Sequence, residues 1–143
     1  MRKALLEKNC PPEWNVRVLT EADFWTYCDA RKIIVRFVQL EQPGYSVIRK
    51  VRPKIYLSDE LRGEHLLQTM FHEIAHHFLH APGIQFFCGT NSKIEFEANV
   101  VAACALIPKP LLSHHWPSEI AEEYGYSERL IKFRQMLLQY WKI

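Results

Sequence analysis

No stretch of the chain approaches the roughly eighteen consecutive apolar residues of a membrane span, so the sequence offers no transmembrane segment. It also has no excess of one charge. A formal charge of +2 over 143 residues is too small to suggest binding to nucleic acid or to a membrane surface by electrostatics alone. Cysteine is sparse and scattered. Cys10, Cys28, Cys88 and Cys104 form no C-x-x-C pair, and residues 1–8 hold no apolar stretch of the kind that opens an export signal. Four reduced thiols in a cytoplasmic protein are expected, not a disulfide framework. Repeats, low-complexity tracts and Gly/Ser-rich linkers are missing too. The length is that of one ordinary domain, spanning residues 1–143.

What is present is local order that alternates in type. Residues 2–9 form a short charged helix candidate, closed by Pro11-Pro12. Thr20 has the character of an N-cap, with Asp23 as its acidic partner three residues on, and predicts a helix to about Ala30. The β-branched and aromatic run from Ile33 to Leu40 predicts a strand, Gln42-Pro43-Gly44 a turn, and Tyr45 to Ile48 its hairpin partner. Lys54 to Leu57 predicts a third short strand. From about Leu61 to His80, Leu66, Met70, Ile74 and Phe78 recur at four-residue spacing, the signature of a helix buried along one stripe. Ala81-Pro82-Gly83 ends it, and a loop holding Cys88-Gly89-Thr90-Asn91 comes next. A further helix is predicted from an N-cap at Ser92 to the stop at Pro108, then two short ones, Ser118–Tyr124 and Glu128–Trp141. A group of strands followed by a run of helices implies an α+β fold: a small antiparallel sheet packed on the Leu61–His80 helix, with further helices around it.

Inside that helix stands His72-Glu73-Ile74-Ala75-His76. Two histidines four positions apart differ by about 40° around a helix, so both imidazoles can reach one ion. Glu73 projects to the edge of the same face, where it can take a proton from a metal-activated water without ligating the metal. Catalytic zinc usually has three protein ligands. The metzincin arrangement would put a glycine at Leu79 and a histidine at Pro82, so it does not apply. His80 comes four residues after His76, but three ligands from one straight helix would splay along its length. The better candidate is Glu95, in Glu95-Phe96-Glu97-Ala98-Asn99, with Asn99 one turn beyond it to orient a ligand. Glu97 points the other way. Glu95 could instead complete a capping box with Ser92.

These segments together resemble the ImmA/IrrE-type metallopeptidases. Phe71-His72-Glu73-Ile74-Ala75-His76-His77-Phe78-Leu79-His80 is similar to the family's H-E-[LI]-[AG]-H-x-x-L-H form, and Glu95-Phe96-Glu97-Ala98-Asn99 through Leu106-Ile107-Pro108 to its E-x-E-A-N segment. Val101-Ala102 stands where Phe-Ala is usual. The resemblance implies one Zn2+ per chain held by His72, His76 and Glu95, with Glu73 as general base. It further implies hydrolysis of a restricted protein substrate, such as a helix-turn-helix repressor of a phage, mobile element or stress operon.

The remaining polar residues suggest less. His65, His77, His114 and His115 read as solvated or packing histidines, and Tyr45, Tyr56, Tyr124 and Tyr126 as core or rim tyrosines. Residues 119–127 look like the start of a helix-turn-helix. The next helix, however, mixes Arg129, Lys132 and Arg134 with Glu128 in what reads as an ordinary solvated face. Direct nucleic-acid binding is not expected. The competing reading is a non-enzymatic regulator whose metal site is structural and whose terminal helices bind DNA or a partner. The intact Glu73 speaks against it, because a structural site has no use for that carboxylate.

Overall fold

The predicted segments form in the predicted order, but the strands pair differently. The computed structural model describes residues 2–80, 82, 84–87 and 92–143. Helices α1 (Lys3–Asn9) and α2 (Glu21–Ala30) precede strands β1 (Ile34–Val38), β2 (Gly44–Ile48) and β3 (Lys54–Ser58). Then come α3 (Gly63–Leu79), β4 (Ile84–Phe87) and α4 (Ser92–Leu106). Three shorter helices follow: α5 (Lys109–His114), α6 (Pro117–Tyr124) and α7 (Glu128–Met136). The fold is α+β, as expected. The helix stop at Ala81 and Gly83, the loop Cys88–Asn91 and any cap ahead of α4 lie outside the described residues.

The sheet is mixed rather than antiparallel, with order β1-β3-β2-β4. The expected hairpin between the first two strands does not form, because β3 sits between them. β1 runs parallel to β3, with Val35 opposite Ile55, while β2 is antiparallel to β3, with Ser46 opposite Ile55. Burial explains the order. Ile55 and Leu57 are fully buried and claim a central strand, whereas Phe37 on β1 is 46% exposed, as an edge tolerates. Backbone bonds at the ends fix this pairing: Ile34 N–H to Pro53 O (2.8 Å), Ser58 N–H to Pro43 O (2.8 Å) and Asp59 N–H to Val38 O (3.0 Å).

The alternation of β2 matters most for the site. Gly44, Ser46 and Ile48 point inward, while Tyr45 stacks on Tyr56 across the outer face at 4.6 Å. Two of these inward residues, Gly44 and Ser46, are small, and both meet α3. α3 is buried over every residue from Thr69 to Phe78, not merely along a stripe, because the sheet covers one side and α4 the other. α4 is itself apolar nearly all round from Val100 to Leu106, the composition of a central helix. Its N-terminal turns are where the acids lie.

The outer elements are secured by polar contacts. The Thr20–Asp23 capping box forms as predicted, and Arg17 grips both oxygens of Asp23 at 2.8 and 2.9 Å. One expectation fails at the C-terminal helices. Arg134 does not belong to a solvated face. It is fully buried, donating to Ile107 O (2.5 Å), Ile143 O (2.9 Å) and Asn15 Oδ1 (3.0 Å). Beyond Met136 the last helix changes to a π-helical turn, Leu137–Trp141. α5, hidden in the sequence by Pro108, Pro110 and Pro117, begins with proline in its first turn, where the missing N–H costs nothing.

Candidate metal centre

His72 and His76 sit on successive turns of α3, and α4 lies alongside with Glu95 facing them. The Glu95 carboxylate spans the two rings: Oε2 lies 2.7 Å from His72 Nε2, and Oε1 3.3 Å from His76 Nε2. All three side chains are nearly buried. Burial pushes the Glu95 carboxyl upward, but the adjoining rings of His72 and then His76 outweigh this and bring it down to about 2.

Asn99, one turn further along α4, completes the arrangement. Its Oδ1 lies 2.8 Å from Nδ1 of His72. An amide oxygen only accepts, so Nδ1 must carry the hydrogen, and Nε2 of a neutral ring then carries a lone pair. A lone pair 2.7 Å from a carboxylate oxygen is repulsive unless a positive centre, a proton or a metal ion, lies between them. This donor set therefore fits a cation held by two imidazole nitrogens and one carboxylate.

Glu73 stands beside this group. Its Oε2 is 3.8 Å from His72 Nε2, and single donor atoms of His72, Glu73 and His76 all lie within 4.8 Å of one another. Glu97 goes elsewhere, as the helical spacing requires. Fully buried on the far side of α4, it pairs with the Arg2 guanidinium at 2.8 and 3.2 Å. The structure thus brings Glu95 and Asn99 to the histidines and keeps Glu97 away.

The other histidines take different places. His77 is buried against β3, its Nε2 3.2 Å from Lys54 O, and burial lowers it to about 4. His80 ends α3, with its ring 5.5 Å from that of His76. His114 and His115 are exposed. His65 lines a cleft of about 630 Å³ together with Glu64, Gln68, Asn99, Ser127 and Arg129, so open space adjoins the centre through Asn99. Sequence reasoning misses Ser46, whose hydroxyl lies 3.0 Å from both Glu73 Oε1 and Glu73 O. The inward phase of β2 carries the only sign of it.

Residues 28–136 match the family model of the IrrE N-terminal-like domain, Peptidase_M78. The chain belongs to this family. Its function is accordingly of the metallopeptidase type, and the matched segment holds every residue of the centre. No curated protein and no solved structure matches the chain. Among the described residues, no helix is long and apolar enough to cross a membrane.

Proposed function

We propose that the protein is a zinc-dependent endopeptidase in which His72, His76 and Glu95 hold one Zn2+ and Glu73 is the catalytic carboxylate. The observation that carries this reading is the Glu95 carboxylate lying between two imidazole nitrogens, one of them fixed as a lone-pair donor by Asn99. Two nitrogens and one oxygen suit zinc and leave a fourth position for water. Zinc bound there supplies positive charge that acidifies a water molecule and polarises the scissile carbonyl. Glu73 takes the proton of the attacking water on the oxygen facing the centre and delivers it to the leaving amine. Asn99 holds the His72 ring in one tautomer throughout.

The proposed substrate is one specific cytoplasmic protein rather than unfolded chains in general, with a helix-turn-helix repressor as the class the family resemblance suggests. The chain is proposed to act as a single domain over residues 1–143. A DNA-binding role for the C-terminal helices finds less support, since Arg134 is spent on buried carbonyls and Asn15.

Metal analysis and N-terminal proteomics test the reading together. Wild type should hold about one zinc per chain and generate a small set of new protein N-termini in cells expressing it. Glu73→Gln should keep the zinc and lose those N-termini, since removing a general base slows hydrolysis by roughly 10²- to 10⁴-fold. Identical sets of N-termini from the two proteins would remove Glu73 from any peptidase mechanism.

A further inference from the structure

A fully buried serine hydroxyl must find partners, because its desolvation is otherwise uncompensated. Ser46 is fully buried, and its single O–H hydrogen is shared between two acceptors of one residue, Glu73 O and Glu73 Oε1, each at 3.0 Å. The strand is pressed against the helix at this point. A Cβ on the neighbouring inward residue, Gly44, would lie 2.7 Å from Tyr56 O, 3.2 Å from Glu73 Cγ and 3.3 Å from Thr69 Cγ2. Gly44 and Ser46 thus cradle the Glu73 side chain, one by having no side chain and the other by offering a donor.

We propose that Ser46 is a positioning residue for the catalytic carboxylate: its hydroxyl holds Oε1 of Glu73 and so presents Oε2 to the metal centre as the oxygen that exchanges protons. The inference rests on the peptidase reading above. The geometry divides the two oxygens, with Oε1 on Ser46 and Oε2 at 3.8 Å from His72 Nε2. A hydroxyl suits this role better than an amide or a cation. It donates to Oε1 whether Oε2 is ionised or protonated, so the carboxylate keeps its place on both sides of the proton transfer. An ammonium or guanidinium there would hold the proton off Oε2. A competing account has Ser46 merely stapling β2 to α3 through Glu73 O. Removing the Glu73 carboxylate separates the two, because only the positioning role depends on it.

The test uses acetohydroxamate, which binds a catalytic zinc as its anion and hands its proton to the adjacent carboxylate, so no substrate need be known. Calorimetry on the zinc-loaded protein should show Ser46→Ala binding it about tenfold more weakly, the loss of one charge-assisted hydrogen bond, with zinc stoichiometry unchanged. Glu73→Gln should also bind it weakly, and adding Ser46→Ala to that variant should cost nothing more. Ser46→Thr, which keeps the hydroxyl, should recover most of the affinity. Full additivity in the double variant, or wild-type affinity in Ser46→Ala, would overturn the positioning role and leave the peptidase reading standing. A wild type that holds zinc but shows no hydroxamate binding, or whose binding ignores Glu73→Gln, would overturn the peptidase reading and this inference with it.

Discussion

The two faces of α4 each bury a carboxylate, two residues apart, and treat it in opposite ways. Glu97 meets a permanent cation: the Arg2 guanidinium takes both of its oxygens. Hydrogen bonding to Arg2 wins over burial and holds its carboxyl below the ordinary range. Glu95 meets no permanent cation, only the rings of His72 and His76, so the balance for its charge must come from a proton or a metal ion that joins them. A buried acid with a built-in counter-ion reads as architecture. A buried acid whose counter-ion must be brought in reads as a site. The same helix supplies both because residues two apart diverge by about 200° around it.

The sharpest way to break this contrast is to delete each acid in turn and titrate zinc. Glu95→Ala should weaken binding by about two orders of magnitude or more, since it removes one of three ligands, while Glu97→Ala should stay near wild type. The reverse ranking would show that α4 presents its other face to the ion. A smaller effect is expected from the cation side. Arg2→Ala strands the Glu97 carboxylate in the core, and chemical denaturation should report a loss of about 1–2 kcal/mol, below the full cost of a broken buried pair because Arg2 is 47% exposed. Zinc stoichiometry should not change; a parallel loss of metal would mean that the two faces are coupled.

The smallest effect serves as a control outside α4. Asp23 is lowered to about 2, first by its Arg17 hydrogen bonds and then, against burial, by those from Thr20. A carboxyl depressed in the folded state contributes stability above its unfolded value, near 4, and loses it as pH falls toward 2. Asp23→Ala should therefore cost about 1 kcal/mol at pH 7, the usual worth of a cap, and progressively less in denaturation series run down to pH 2. A penalty that stayed constant with pH would mean that the charge of Asp23 is not what stabilises α2.

How much of the molecule is legible in its sequence depends on the range of the interactions. His72, Glu73 and His76 lie within one helical turn or so, where 3.6-residue geometry alone fixes their relation. Glu95 and Asn99 are legible as a pair for the same reason, though nothing local says which helix they face. Strand order is not legible, because the pairing of β1 with β3 skips an intervening strand and is decided by which strand has the most to bury. Ser46 shows only through the inward phase of β2, since its importance comes from β2 crossing α3 at Glu73. Arg134 misleads because a helix carrying several charges looks solvated until its neighbours supply buried carbonyls.

The cysteines carry a consequence for following the molecule's motions. Cys10 after α1, Cys28 in α2 and Cys104 in α4 are buried free thiols, which burial raises to about 12, 12 and 11. Near neutral pH almost none of each is thiolate, and reagents cannot reach the sulfur while the fold is closed. Alkylation must therefore wait for the chain around each thiol to open. Its rate at saturating reagent is a clock for that opening, with one clock at the end of α1, one on α2 and one in the central helix that bears the candidate ligand Glu95. Loading the protein with zinc should slow the central clock most if the ion ties α4 to α3, because whatever binds only the closed form lengthens every wait that requires those two helices to part.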